Sequence, residues 1–401
     1  MTNCILKILR GVFLGLVVCT AAFGQAEEPL SIDATQLPVI GRTETLSGSR
    51  VLKLFPLEDG VFSQKLEFPG TSSFRVHFTV LNSPGTFSTN WNLRILNFEN
   101  NQEQWMFQPE ASTRGFWSPE ITGSRARVLL TTEPSAANLQ IIIDKVSHLQ
   151  SITTPQTQIN FKLKPIGQSS SFIQSAGRAV ARLVIERDGD EGPVTCTGFL
   201  IGRDLLMTNR HCIKSGSEAR NTDVQFDYDR DGAPTVKAGV KELVMASCDL
   251  DFVILRLNKS FSCPTALCTG PLERSPFALA RNATLTLNQQ LLAIQHPDGE
   301  AKQVSRDGCV VDQLQMIGSS STITDFAHKC DTKGGSSGTA LLILGNGDAV
   351  GPVVGLHHLG TRVDSVQESE PKLINRAVNM RDIVIYIDRV KPGLATELVI
   401  H

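Results

Sequence analysis

Between residues 45 and 150, apolar and polar side chains alternate in short runs. SFRVHFTVL sets Phe74, Val76, Phe78 and Val80 against polar neighbours, and WNLRILNF repeats the pattern with Trp91, Leu93 and Ile95. ARVLLTTE and NLQIIIDKV follow, with Pro, Gly, Ser and Asn in the gaps. A period of two is that of a half-buried strand, and strands this short and closely spaced predict a β-sandwich of roughly 100 residues. The three tryptophans of the chain, Trp91, Trp105 and Trp117, fall in this stretch. They read as core and rim aromatics rather than a sugar-binding platform, because Trp is mostly buried. The segment from about 150 to 176 is polar and Pro/Ser-containing and reads as a connection. Beyond it the pattern returns to strand, turn and strand. FVILRL is a continuous apolar run long enough for a strand buried on both faces, and the clearest helical pattern is MRDIVIYIDRVK near 380 to 391, closed by Pro392-Gly393. The expected fold class is all-β, with a β-sandwich followed by a second β domain and a C-terminal helix. The boundaries fall at 1–26 for a leader, 27–165 for a sandwich acting as accessory or pro-domain with its linker, and 166–401 for the second domain.

The leader changes how the rest is read. Lys7 and Arg10 precede the apolar run GVFLGLVVCTAAFG, which is followed by small residues and an acidic start, the layout of a secretory signal cleaved after Gly24 or Ala26. Val18 before Cys19 is too bulky for a lipobox. No other run reaches the roughly 18 apolar residues of a membrane span. Net charge is −2 over 401 residues, which gives no electrostatic reason to expect nucleic acid or an anionic membrane as partner. The expectation is a secreted monomer, extracellular or periplasmic. Seven cysteines remain after the leader: Cys196, Cys212, Cys248, Cys263, Cys268, Cys309 and Cys330. After export they read as disulfides rather than metal ligands, with one left over, and the absence of a CxxC pair argues against zinc.

Three stretches carry candidate chemistry. In CTGFLIGRDLLMTNRHCI, Cys196 and Cys212 flank a hairpin, so a disulfide between them would pin the loop that carries His211. In CDLDFVILRL, Asp251 stands at the mouth of the apolar strand, where an unpaired carboxylate would cost several kcal/mol. His211 is its natural partner, and Asp249, one step further out, reads as solvated. CDTKGGSSGTALLI places Gly and Ser between a cysteine and an apolar strand, which is no place for a flexible linker. A serine nucleophile needs a base and backbone N–H donors for the developing oxyanion, and glycines beside it let those donors converge.

TNRHC, DFVILRL and GGSSG, in the order His, Asp, Ser, resemble the trypsin-like (chymotrypsin-fold) serine peptidases. The look is that of bacterial members, the glutamyl and lysyl endopeptidases, over roughly residues 177 to 392. The resemblance implies a double β-barrel for the second domain and an endopeptidase working through an acyl-enzyme. In G-x-S-G the nucleophile follows the variable residue, so Ser337 is the nucleophile and Ser336 the variable place. The backbone N–H groups of Gly335 and Ser337 form the oxyanion hole. His211 is the general base and then acid, and Asp251 orients it. Ser336 replaces the aspartate that pairs with a new N-terminus in the animal enzymes, so no trypsin-style activation switch is expected. The same logic pairs Cys196 with Cys212 and Cys309 with Cys330, and weakly prefers Cys263 with Cys268.

For the specificity pocket the resemblance points two ways. Thr332 and His357 match the places that receive a glutamate side chain, whereas Asp331 matches the carboxylate that receives Arg or Lys. The acidic preference stands slightly ahead. His358 and His328 read as loop and wall residues, and His296 as a turn residue after a strand, without a role. Asp227-Tyr-Asp229-Arg-Asp231-Gly232 copies the opening of a calcium loop, but the twelfth place is Ala238, so a solvated acidic turn is the better reading, with bound calcium the weaker alternative, and no cofactor is required. The partners expected are peptide or protein substrates. The competing class is a binding or adhesion protein with a catalytically silent protease fold.

Overall fold

The computed structural model describes residues 37–48, 51–54, 61–81, 91–98, 103–107, 115–132, 139–150, 162–188, 192–231, 235–261, 273–363 and 372–401. The leader and Cys263 and Cys268 lie outside them. The chain divides into two compact units, one of Val39–Thr153 with Glu186–Val194, the other of Met1–Pro38, Thr154–Ile185 and Thr195–His401.

The first unit consists of two antiparallel sheets. One runs Gly41–Thr45, Ile141–Leu149, Ser73–Val80, Gly115–Trp117, and the other Val61–Glu67, Arg125–Thr132, Trp91–Asn97, Glu103–Phe107. The alternating apolar positions are what they bury: Phe74, Val76, Phe78, Trp91, Leu93, Ile95, Val128, Leu130, Ile141 and Ile143 share one core. Trp91 is in that core, Trp117 is half-buried beneath the Arg75 guanidinium, and the Trp105 side chain lies outside the described residues. Glu186, which the sequence reading counts to the second half, belongs to this unit. It is buried and accepts from Arg75, also buried, at 3.2 Å. Burial pushes the Glu186 carboxyl up against the pull of Arg75.

The second unit is built on two β systems. Val180–Ile185, Val194–Leu200, Leu205–Asn209, Phe252–Leu257, Val236–Ser247 and Thr222–Phe226 close into a six-stranded barrel. Val180–Ile185, Val194–Leu200, Leu205–Asn209 and Phe252–Leu257 are buried along nearly their whole length, as continuous apolar runs require, whereas Val236–Ser247 is largely half-buried or exposed. Arg256 is the half-buried exception in FVILRL, and Asp204, Glu242 and Glu397 all pair with it. The other system is an eight-stranded antiparallel sheet. Its path is Lys164–Pro165, Gln303–Ser305, Leu291–Gln295, Ala340–Leu344, Val350–Val363, Lys372–Asn379, Ile323–His328, Val311–Ile317. A bridge between Gln290 and Val310 brings its far strand back to Leu291–Gln295, and the Cys309–Cys330 disulfide ties the same corner. The fold is therefore all-β and chymotrypsin-like. The helix Met380–Val390 follows, with the Asn379 side chain capping the N–H of Arg381 and Met380, Ile383, Val384 and Ile387 buried beneath it. No described helix is long and apolar enough to cross a membrane.

Candidate active site

The strand Leu205–Asn209 delivers TNRHC into a tight turn. Every residue of the turn is tied down. The Asn209 amide and the Arg210 N–H both donate to the Asp251 carbonyl, at 2.9 and 3.1 Å. The Arg210 guanidinium donates to the carbonyls of Ile213 and Lys214, and Cys212 is bonded to Cys196. The His211 backbone N–H donates to Asp251 Oδ1 at 2.9 Å while its Nδ1 meets Asp251 Oδ2 at 2.7 Å. One carboxylate thus grips both the backbone and the ring of His211, which fixes the ring's rotation. Burial alone would raise the Asp251 carboxyl. The charge and hydrogen bonds of His211 and His358 outweigh it and hold Asp251 far below the usual carboxylate range. Asp249, by contrast, is exposed.

Ser337 lies at the turn before the strand Ala340–Leu344. Thr197, on a strand of the barrel, clamps this loop: its N–H donates to the Ser337 carbonyl and its hydroxyl to the Gly335 carbonyl, both at 2.9 Å. The Ser336 N–H donates to the Lys333 carbonyl at 3.0 Å and its hydroxyl accepts from the Lys333 N–H at 3.1 Å. The N–H groups on either side, those of Gly335 and Ser337, have no acceptor among the described residues. His211 Nε2 and the Ser337 carbonyl oxygen each lie 3.9 Å from the same atom, Cys212 Sγ.

Two glycines make the loop possible. Gly335 has φ +83° and Gly338 φ +89°, in the region that favours glycine. A Cβ at Gly338 would overlap the Thr197 carbonyl and the Thr208 hydroxyl. Gly338→Ala is accordingly expected to cost about 3 kcal/mol or more and to abolish reactivity at Ser337, measured as a lowered thermal midpoint together with lost labelling by an active-site probe.

The residues singled out for the pocket separate. Thr332 and His357 are buried. The Asp331 carboxylate accepts from the backbone N–H of Lys162 at 2.8 Å, in an exposed position. His296 stands where the strand Leu291–Gln295 passes into the turn Pro297–Gly299, and His328 ends the strand Ile323–His328; both are buried. The Cys330 N–H donates to His328 Nδ1 at 3.3 Å, so the ring proton of His328 sits on Nε2 and is donated to His357 Nδ1 at 3.1 Å. His296 lies behind the nucleophile loop, its N–H on the Thr197 hydroxyl at 3.0 Å. His358 lies in the strand Val350–Val363, not in a loop, and its Nδ1 is 3.3 Å from Asp251 Oδ2 and its Nε2 2.7 Å from Asp325 Oδ2. The acidic turn has protein cations as partners, with Asp227 on Arg274 at 2.5 Å and Asp229 on Lys302 at 2.8 Å. Cys248 is itself in a disulfide, so it is not the cysteine left over, and the expected pairing of Cys263 with Cys268 lies outside the described residues.

Burial pushes three of these histidines down, His328 to about 3 and His296 and His357 well below the ordinary value. An unfolded chain protonates all three near pH 6.5, while the folded chain keeps them neutral. Their contribution is therefore full above pH 6.5 and is lost as pH falls from there toward the folded values. Each such proton costs about 1.4 kcal/mol per pH unit. Thermal unfolding followed between pH 6.5 and 4.5 is expected to fall steeply, and replacing His296 with Gln is expected to flatten the slope.

Residues 196–351 match the trypsin-like peptidase domain family, and the chain carries that domain. Over 210 residues it is 30% identical to Secreted RxLR effector protein 73 of Plasmopara viticola, covering 48% of this chain and 47% of that protein. Over 197 residues it is 28% identical to Uncharacterized protein y4fB of Sinorhizobium fredii (strain NBRC 101917 / NGR234), covering 46% of this chain and 28% of that one. The chain thus spans less than half the length of either relative. Among solved structures it is similar to the active form of the Rv3671c protease of M. tuberculosis, with TM-score 0.40, 15% identity, and coverage of 60% of this chain and 94% of that one. It is similar also to Deg5, with TM-score 0.38, 19% identity, and coverage of 55% and 92%.

Proposed function

We propose that the protein is a secreted serine endopeptidase that hydrolyses peptide bonds through Ser337, His211 and Asp251. The observation that carries this reading is the nucleophile loop, where the N–H groups of Gly335 and Ser337 stand without acceptors on either side of a tethered Ser336. A buried peptide N–H without an acceptor is costly, so a pair of them is kept only where a ligand oxygen completes it.

The chemistry follows from the parts. His211 Nε2 takes the Ser337 Oγ proton as Oγ bonds to the scissile carbonyl carbon, and the negative charge on the carbonyl oxygen is received by the two N–H groups. The imidazolium, paired with Asp251, then returns its proton to the leaving amine, and the C–N bond breaks to leave the acyl-enzyme. Water repeats the sequence, its proton passing through His211 to Ser337 as the acid product departs.

For the residue before the scissile bond, an acidic preference is the better reading. The two residues that match the glutamate-receiving places, Thr332 and His357, are both buried, and His357 Nδ1 meets His328 Nε2 at 3.1 Å. Asp331, the determinant a basic preference would need, has an oxygen on Lys162. Export is supported by the disulfides Cys196–Cys212 and Cys309–Cys330 and by a relative named as secreted.

The test is digestion of a peptide library by the mature chain, read by mass spectrometry, beside labelling of Ser337 with a fluorophosphonate. Labelling with cuts after Glu or Asp is the expected result. Cuts after Lys or Arg would move the pocket to Asp331, and an unlabelled Ser337 in folded protein would make this a silent fold that binds rather than cleaves.

A further inference from the structure

The oxygen of Asp251 that meets the His211 ring, Oδ2, also meets a second histidine with a carboxylate of its own. His358 and Asp325 are both nearly inaccessible, at 3% of their full exposure each. Both ring nitrogens of His358 face a carboxylate oxygen, Nδ1 on Asp251 at 3.3 Å and Nε2 on Asp325 at 2.7 Å. A neutral imidazole has one N–H, so one of these carboxylates would then face a lone pair in a buried setting. Only the imidazolium satisfies both. Asp325 is held in turn, its Oδ1 accepting from the Thr324 hydroxyl at 3.0 Å. Hydrogen bonds thus connect four side chains in the order His211–Asp251–His358–Asp325.

We propose that His358 and Asp325 are positioning residues of the Ser337 reaction: His358, as an imidazolium, donates to Asp251 Oδ2 and fixes the carboxylate that orients His211, and Asp325 keeps His358 charged. The proposal rests on the peptidase reading given above. Neither residue touches Ser337, so their effect is on the turnover step rather than on substrate binding.

A β-bulge makes the arrangement possible. The pairing of Val350–Val363 with Lys372–Asn379 shifts register between His357 and Leu359, and both neighbouring histidines turn inward. His357 goes to the pocket relay and His358 to Asp251. The charged and titratable groups around His358 are Asp251, with His211 and Arg210 beyond it, Asp325, with Asp382 and Arg381 beyond it, and the buried His328 and His357. Burial among them works against the charge on His358. The hydrogen bonds and charges of the two carboxylates prevail and raise it to about 9.

The experiment is the pH dependence of fluorophosphonate labelling of Ser337 in the full mature chain, wild type and Asp325→Asn. Asparagine keeps the shape and an oxygen for Nε2–H but removes the charge. In the wild type, labelling is expected to fall as pH passes about 9, where His358 loses its proton. In Asp325→Asn the fall is expected about one to three pH units lower, the usual weight of one close opposite charge, with kcat lowered and KM kept for a peptide substrate. A residue of merely structural weight would lower the rate without moving the limb. An alkaline limb in the same place in both proteins overturns the proposal while leaving the peptidase reading intact. A folded wild type that is not labelled at any pH overturns both. Should Asp325→Asn not fold, ring-nitrogen NMR of the wild type decides. One imidazole with both nitrogens protonated at pH 8 supports the assignment, and none overturns it.

Discussion

Replacing Ser337 with Ala is expected to lower kcat/KM for peptide hydrolysis by about 10⁶ and to leave the fold and the thermal midpoint unchanged. The size follows from what one oxygen does here. In the proposed mechanism Ser337 Oγ is the atom that bonds to the acyl carbon, and without it His211 has no proton to take and the acyl-enzyme cannot form. What would remain is water in a site still able to bind the substrate and stabilise the oxyanion, worth about 10³ to 10⁴ over the uncatalysed reaction. The fold is unaffected because the loop is not held by the Ser337 hydroxyl. Its anchors are backbone groups, the Ser337 carbonyl on the Thr197 N–H and the Gly335 carbonyl on the Thr197 hydroxyl. Ser336→Ala is the companion measurement. Its hydroxyl accepts from the Lys333 N–H at 3.1 Å, so its loss loosens the loop and lowers the rate modestly without ending it. Activity surviving in Ser337→Ala and absent in Ser336→Ala would mean that the nucleophile is misassigned.

How much of this could be seen in the sequence depends on whether the signal is local. The sandwich strands were legible because Phe74, Val76, Phe78 and Val80 alternate, and all four are buried. The C-terminal helix was legible from its periodic apolar residues and Pro-Gly stop. His211, Asp251 and Ser337 were legible as three short patterns in order, and the structure places the first two in contact and hangs the third from Thr197 beside the Cys196–Cys212 disulfide. Three features were not legible. Arg75 and Glu186 are 111 residues apart, and nothing near either marks the other. His296 reads as a turn residue before Pro297-Asp298-Gly299, yet it is wholly buried because the nucleophile loop packs over it, with Gly335 so close that a Cβ would come within 2.8 Å of the His296 carbonyl oxygen. His358 was lost to the rule of alternation itself. In a regular strand His357 inward would mean His358 outward, and only the register shift after His357 turns both inside. Two adjacent histidines in an apolar strand are the signal that could have raised the question.

Asp251→Asn is expected to lower kcat by about 10⁴ with KM little changed, because no flip of an amide can satisfy the donors that Asp251 now receives. Oδ1 accepts the His211 backbone N–H at 2.9 Å, and Oδ2 accepts from the His211 ring at 2.7 Å and faces His358 Nδ1 at 3.3 Å. If the amide oxygen takes the place of Oδ1, the NH₂ stands at Oδ2 and faces the His358 N–H donor to donor. It also turns His211 to the tautomer with its proton on Nε2, which cannot accept the Ser337 proton. If the amide is flipped, the NH₂ meets the His211 backbone N–H and the turn that carries the base is pushed out of place. Either way the imidazolium that forms in the reaction has lost its counter-charge. The backbone is not what suffers, since Asp251 has φ +41° and asparagine tolerates that region as well as aspartate does. Asp249→Asn, two residues earlier and exposed, provides the comparison and is expected to leave kcat as it was. Measured side by side at pH 7 with one peptide substrate, a loss in Asp249→Asn equal to that in Asp251→Asn would show that the charge of the turn, and not the grip of one carboxylate on His211, sets the rate.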